Sequence, residues 1–209
     1  MKPTRSSHLA IVTAGILVVL GGCAIPLPKL ADPLEPSSAM AVLSVTVRVK
    51  RLFYTSEHPA GEVVIGRLNA NGTVGEEIRP SNVYQRYVFF ENLLPGEYKL
   101  LRAAYLETSQ SGPPPGVSGM TIGITLQSAI RFSPEVVEGS RLTIPAGTVA
   151  YMGDYVADMA ARMSFPLPKI EFESSSGGRT AEGKTGASEM LKKVIPDSPW
   201  LKRPMKEGN

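Results

Sequence analysis

Leu43-Ser-Val-Thr-Val-Arg-Val-Lys50 decides the fold class. Leu43, Val45, Val47 and Val49 alternate with Ser44, Thr46, Arg48 and Lys50. That period of two is the pattern of a strand with one apolar face. Outward from it, further short strands are predicted near Glu62–Leu68, Tyr84–Phe90, Glu97–Leu106, Met120–Phe132, Ser140–Ile144, Thr148–Val156 and Lys169–Glu173, with Gly, Pro and Asn between them. Helical periodicity is absent from this region. Seven or eight such pieces predict an all-β, antiparallel, Ig-like sandwich over residues 41–173 rather than alternating βα units. Val149–Met163 is expected to be strand to about Tyr155 and irregular or helical beyond.

The flanks differ in composition. Residues 23–40 carry Pro26, Pro28, Pro33 and Pro36 and are expected to be an extended tether lifting the domain off its support. Residues 174–209 are expected to be a flexible loop and a short helical tail. Ser174–Gly186 is Ser/Gly-rich and predicts a loop. Ser188 would cap a helix carrying Met190, Leu191, Val194 and Ile195 on one stripe, stopped by Pro196. Asp197 or Ser198 would cap a further turn opened by Pro199 and bearing Trp200, the sole tryptophan.

Three stretches of the sequence resemble known families. Residues 1–22 hold Lys2 and Arg5, no acid, an apolar run Leu9–Leu20, and then Gly21-Gly22-Cys23. The run is shorter than the roughly 20 residues that span a bilayer but fits an export signal. Leu20-Gly-Gly-Cys23 resembles the lipobox of bacterial lipoproteins, and Cys23 is the only cysteine in 209 residues. The resemblance implies cleavage between Gly22 and Cys23 and acyl chains on Cys23, two or more of which hold firmly to a bilayer. Ala24, in place of aspartate, resembles the sorting pattern of lipoproteins sent to the outer membrane. Separately, Phe90-Glu-Asn-Leu-Leu-Pro-Gly-Glu-Tyr-Lys-Leu100 resembles a hairpin of transthyretin-like and carboxypeptidase-regulatory-like sandwich domains. There Pro95 and Gly96 would supply the tight turn and Tyr98 would pack on re-entry to the sheet. Ile144-Pro-Ala-Gly-Thr-Val-Ala-Tyr-Met-Gly153 resembles the closing strand of envelope lipoprotein families of unknown function.

Charge and residue inventory restrict the chemistry. The chain has 22 Lys+Arg and 19 Asp+Glu; without Lys2 and Arg5 the balance is 20 to 19, a net of +1, so no basic stripe argues for nucleic acid. Gly178-Arg-Thr-Ala-Glu-Gly183-Lys184-Thr185 matches the phosphate-loop pattern. The strand before it is amphipathic, and the 24 residues after Thr185 leave no room for the remaining strands of a nucleotide-binding domain. A flexible loop is the better reading, and neither nucleotide nor other cofactor is expected. Beyond the leader, His58 is the single histidine, read as an exposed loop residue. No zinc cluster, cysteine nucleophile or G-x-S-x-G elbow can be assembled. Asp154 with Asp158, and Glu171 with Glu173, are the remaining catalytic candidates, read as surface charge. Tyr84, Tyr87, Phe89, Phe90, Tyr98 and Tyr105 are read as core, and the loop Thr108–Met120 with its three prolines as a candidate binding element. The expectation is a lipid-anchored envelope lipoprotein with a noncatalytic binding, scaffolding or assembly role and a possible envelope protein partner. An accessory subunit of a secretion or transport machine and a carboxylate hydrolase with a cleft at Asp154 and Asp158 are the alternatives.

Overall fold

The computed structural model describes residues 29–111, 122–162 and 169–207. Cys23, the leader and residues 112–120 of the predicted 108–120 loop lie outside them, while Thr108–Ser111 are not loop but the end of a strand paired with residues 122–125. Two sheets share one core, as expected of an all-β sandwich. The first sheet runs β11 (Lys169–Gly178), β10 (Val149–Arg162), β1 (Ala39–Lys50), β6 (Tyr87–Leu93), β5 (Asn82–Tyr84), with β2 (Thr55–Pro59) also on β1 and β12 (Met205–Glu207) also on β10. The second runs β4 (Val74–Ile78), β3 (Glu62–Leu68), β7 (Gly96–Ser111), β8 (Ile122–Ile130), with β9 (Leu142–Ile144) on β7. Pairing is antiparallel except for β1 with β10 and β10 with β12, which are parallel.

Leu43, Val45, Val47 and Val49 point into the space between the sheets, against Val63, Ile65, Tyr98, Leu100 and Ile130. Full burial of each such side chain is worth about 1.5–3 kcal/mol. The other face of the first sheet is also covered over half its length. Met40, Val42, Tyr84, Tyr87, Phe89, Val149 and Tyr151 pack there under α2 (Ala181–Val194) and Trp200. Phe89 and Phe90 therefore point to opposite faces as expected, and both faces are core. All six aromatics between Tyr84 and Tyr105 are buried.

Several expectations are corrected. Ser174–Gly178 is not loop but the end of β11, because Ser174 Oγ reaches Asp158, Ser175 Oγ accepts from the Ser133 amide, and Gly177 lies flat against Tyr155. α2 begins at a Thr180 cap, not at Ser188. The Thr180 hydroxyl accepts from the Gly183 amide at 3.0 Å, and Gly183, Ala187, Leu191 and Val194 form the buried stripe. The helix ends with Ile195 as its cap, ahead of Pro196. Ser198 caps the 3-10 turn Pro199–Lys202 as the sequence suggests. β10 continues as strand to Arg162, since its far half is flanked by β1 and β11. A short helix, α1 (Pro134–Gly139), is capped by Ser133 and was not signalled by any apolar period.

The Pro95-Gly96 segment is not a hairpin turn. β6 pairs in the first sheet and β7 in the second, so residues 94–95 carry the chain across the sandwich. The positive φ falls at Asn92 (54°) instead. The crossing is held by the Tyr98 hydroxyl, which donates to the Leu94 carbonyl at 2.5 Å. Hydroxyl-to-backbone bonds of this kind fix sheet corners in Ig-like sandwiches.

The expected tether is docked from Lys29 onward. Leu30 is buried, the Ala31 amide donates to Glu91 at 2.9 Å and the Leu34 amide to Asn92 at 2.8 Å. Trp200 Nε1 donates to the Ala31 carbonyl at 2.8 Å. These bonds satisfy backbone groups that water would otherwise hold, so the segment is a strap on the domain rather than a spacer.

Candidate functional site

On the outer face of the first sheet, the apolar stretch under α2 gives way to polar residues. The cause is a bulge in β10. Register jumps from Val42 opposite Tyr151 to Leu43 opposite Gly153, with Gly153 at φ +130°. Met152 and Tyr155 both face the inner core although three positions apart, so the extra residue resets the alternation and puts Asp154 outside. Asp154 then stands beside Ser44, and Asp158 beside Arg48.

Ser44 Oγ donates a short hydrogen bond to Asp154 Oδ1. The other oxygen, Oδ2, lies against Gly183 of α2 and the Tyr151 hydroxyl. That hydroxyl is buried, makes no hydrogen bond of standard geometry among the described residues, and has the Asp154 carboxylate beside it. Burial first, and the neighbouring carboxylate second, push the phenol far above its ordinary range. Tyr155, on the inner face, is pushed up to about 12, chiefly by burial, with Arg179 opposing.

Between this group and the first half of α2 lies a cavity of about 540 Å³ lined by Arg86, Asp154, Thr180, Glu182, Gly183 and Glu189, among others. The Arg86 guanidinium sits 5.4 Å from the Tyr87 ring centroid. Three carboxylates face one guanidinium, so the lining suits a cationic or neutral hydrogen-bonding group better than a phosphate. Close approach of α2 depends on Gly183: a Cβ there would overlap Tyr151 Oη and Asp154 Oδ2 and meet Tyr151 Cζ at 2.9 Å. Gly183→Ala is therefore expected to cost about 1–3 kcal/mol through overpacking, read as a lowered thermal midpoint; an unchanged midpoint would show that α2 does not sit this close.

The residues singled out in sequence are distributed as follows. Asp158 is neutralised: Arg48 Nε and Nη2 each donate to it at 2.9 Å, and Ser174 Oγ adds a bond at 3.2 Å. Glu173 pairs with Lys50 at 3.1 Å, and Glu171 with Lys169 and Arg162 at 2.9 and 3.0 Å. The Lys169 hydrogen bond is the main cause holding the Glu171 carboxyl below its usual range. Asp154 is the one of the four that lines the cavity.

His58 is on strand β2 rather than in an exposed loop. It is half-buried opposite Val47, with Nε2 2.8 Å from Ser56 Oγ and its ring tilted against Tyr105 at 5.4 Å. β1 stands between β2 and β10, which separates His58 from both Asp154 and Asp158.

The phosphate-loop match is not a flexible loop. It folds as the end of β11, the Thr180 cap and the first turn of α2, where the Gly183 and Lys184 amides are already bonded to Thr180. Glu182 in that turn adds negative charge where a phosphate would need the helix end. Among the described residues no group of three or more His, Cys, Asp or Glu is arranged to hold a metal, and no helix is long and apolar enough to cross a membrane. Arg86 and Tyr151 carry no site signal in the sequence, whereas Gly183 belongs to the phosphate-loop match. The glycine four positions before buried Ala187 is the one signal that points there, as a small-residue stripe for close helix approach.

No protein-family model matches the chain, and no curated protein matches it in sequence. Among solved structures, one described as a "putative cell adhesion protein" of Bacteroides fragilis NCTC 9343 aligns over 69% of this chain and 48% of its own, with 15% identity and a TM-score of 0.24. The chain thus spans about half the length of that protein. So low a TM-score carries no argument, and the functional reading rests on this chain's own residues.

Proposed function

We propose that the protein is a cell-envelope lipoprotein, cut between Gly22 and Cys23 and acylated on Cys23, whose β-sandwich performs a noncatalytic binding or scaffolding task beside the membrane. The observation that carries the reading is a lipobox-like Leu20-Gly-Gly-Cys23 placed six residues before a strap that is built into the domain. Six residue steps reach at most about 20 Å. Acyl chains on Cys23 would hold the domain close against the lipid rather than on a long stalk. Ala24 favours the outer membrane in a cell with two membranes. Asp158, Glu171 and Glu173 are each engaged in an ion pair, so Asp158 does not stand free to act with Asp154 as the predicted hydrolase pair, which supports a noncatalytic role. The all-β body fits the transthyretin-like resemblance in architecture, while the Pro95-Gly96 crossing departs from its hairpin.

Cys23→Ser is expected to leave a precursor that keeps its leader, incorporates no labelled palmitate and no longer enters the detergent phase as the processed protein does. A variant that is still processed, labelled and partitioned like the parent would overturn the reading.

A further inference from the structure

The turn between β1 and β2 exposes three consecutive large apolar side chains. Leu52, Phe53 and Tyr54 are 83%, 91% and 59% exposed. Elsewhere among the described residues, exposed large apolar side chains occur one at a time along the chain. The turn itself does not ask for them. The Arg51 amide bonds the Tyr54 carbonyl at 2.8 Å, which leaves Leu52 and Phe53 at the tip, where hairpins favour Asn-Gly or similar pairs. On the strand end beneath, Arg48 and Lys50 are held by Asp158 and Glu173, and the Arg51 guanidinium lies 5.9 Å from the Tyr54 ring centroid. An apolar tip with an aromatic hydroxyl and an arginine at its base has the composition that the headgroup region of a bilayer accepts: apolar atoms below the surface, with Tyr and Arg at the boundary.

The strap supplies the geometry, given the lipoprotein reading on which this inference rests. The Lys29 carbonyl accepts from Asn82, which pairs with Phe89, which pairs with Val42. The tip lies ten residues further along β1, about 30 Å at strand rise. Cys23 reaches at most about 20 Å from Lys29. A domain standing upright on its tip would hold Lys29 beyond that reach, whereas a domain leaning over touches lipid with both.

We propose that Leu52-Phe53-Tyr54 is a second contact with the bilayer that holds the acyl chains, so that the sandwich lies tilted along the membrane instead of swinging on its anchor. The anchor makes this contact intramolecular, so a three-residue insertion too weak to bind a free protein suffices.

The test uses the full mature lipidated protein in vesicles of phosphatidylcholine with one quarter phosphatidylglycerol. With Cys23 acylated, Phe53→Cys adds a lone free thiol for a nitroxide, and Phe53 is exposed enough that folding is not at risk. Flotation with the vesicles reports the anchor. Collisions with oxygen, enriched in lipid, and with a water-soluble nickel chelate report the tip. The expected result is flotation with an oxygen-dominated label, together with a blue-shifted, bromolipid-quenched emission from Phe53→Trp after subtraction of buried Trp200. Flotation with a nickel-dominated label overturns this proposal and leaves the anchor standing. Loss of flotation overturns the lipoprotein reading as well. A label shielded from both reagents only at high protein density would assign the tip to a second copy of the chain and also overturn the proposal.

Discussion

Trp200→Ala is expected to remove about 3–5 kcal/mol of folding stability, the range for emptying a fully buried large aromatic site. Trp200 has no solvent exposure and sits among Met40, Val42, Phe89, Val149 and Tyr151, the outer core of the first sheet. Two pieces of chain, the strap and the tail, depend on it. Its indole N–H is donated to the Ala31 carbonyl at 2.8 Å, tying the strap. The Arg203 guanidinium rests 4.6 Å from its ring centroid and bonds backbone carbonyls of Glu35 and Ser38. Met205, which opens β12 on β10, packs against the same cluster. Alanine would leave a cavity between sheet and tail that neither can close without breaking these bonds. Against a total of about 5–15 kcal/mol for a domain, the loss is large enough to read as a strongly lowered urea midpoint. Proteolysis should then cut first at residues 29–38. A variant with the parental midpoint and an uncut strap would show that the tail does not hold the strap.

The contrast between what the chain announces and what it hides has physical causes. Alternation in Leu43–Lys50 fixed which side chains face the inner core, because one parity of a strand meets a partner sheet wherever a sandwich forms. The continuous apolar run Met40-Ala-Val-Leu43 carried the further message that both faces are buried there, but the covering element is Gly183- and Ala187-rich and so looks like loop. Pro95 and Gly96 mark a change of direction without saying whether the next strand returns to the same sheet; that is settled by which core Tyr98 enters. The bulge at Gly153 decides on which face Asp154 falls, and the phase shift it makes cannot be read in the sequence because Val149–Met152 is apolar on both faces. Asp158 and Arg48 become partners only through the parallel pairing of strands 110 positions apart in sequence, a property of topology. The cavity under α2 was therefore legible in its parts (Asp154, and the glycines of the phosphate-loop match) and not in their assembly.

Gly177→Val should be nearly as damaging as the loss of Trp200, while the same change at the adjoining Gly178 should be almost silent. Gly177 lies in β11 opposite Tyr155, at φ +148°, where a side chain is strained whatever space it finds. A Cβ there would overlap the Asp154 carbonyl oxygen and come within 2.7 Å of Tyr155 Cα and Cδ1. Tyr155 cannot give way: it is buried, its hydroxyl donates to the Met152 carbonyl at 2.7 Å, and its ring meets Phe132 edge-on at 6.0 Å. Backbone strain of about 1–3 kcal/mol and overpacking of about 1–3 kcal/mol fall on the same residue. Gly178 meets nothing within 4 Å and has no positive φ, so valine fits there as an ordinary strand residue. The pair of variants separates two readings of Ser-Ser-Ser-Gly-Gly178. In a solvated loop the two valines would be equivalent. In a strand pressed against an aromatic core, chemical denaturation should separate them by more than about 2 kcal/mol, and equal midpoints would return residues 174–178 to a loop.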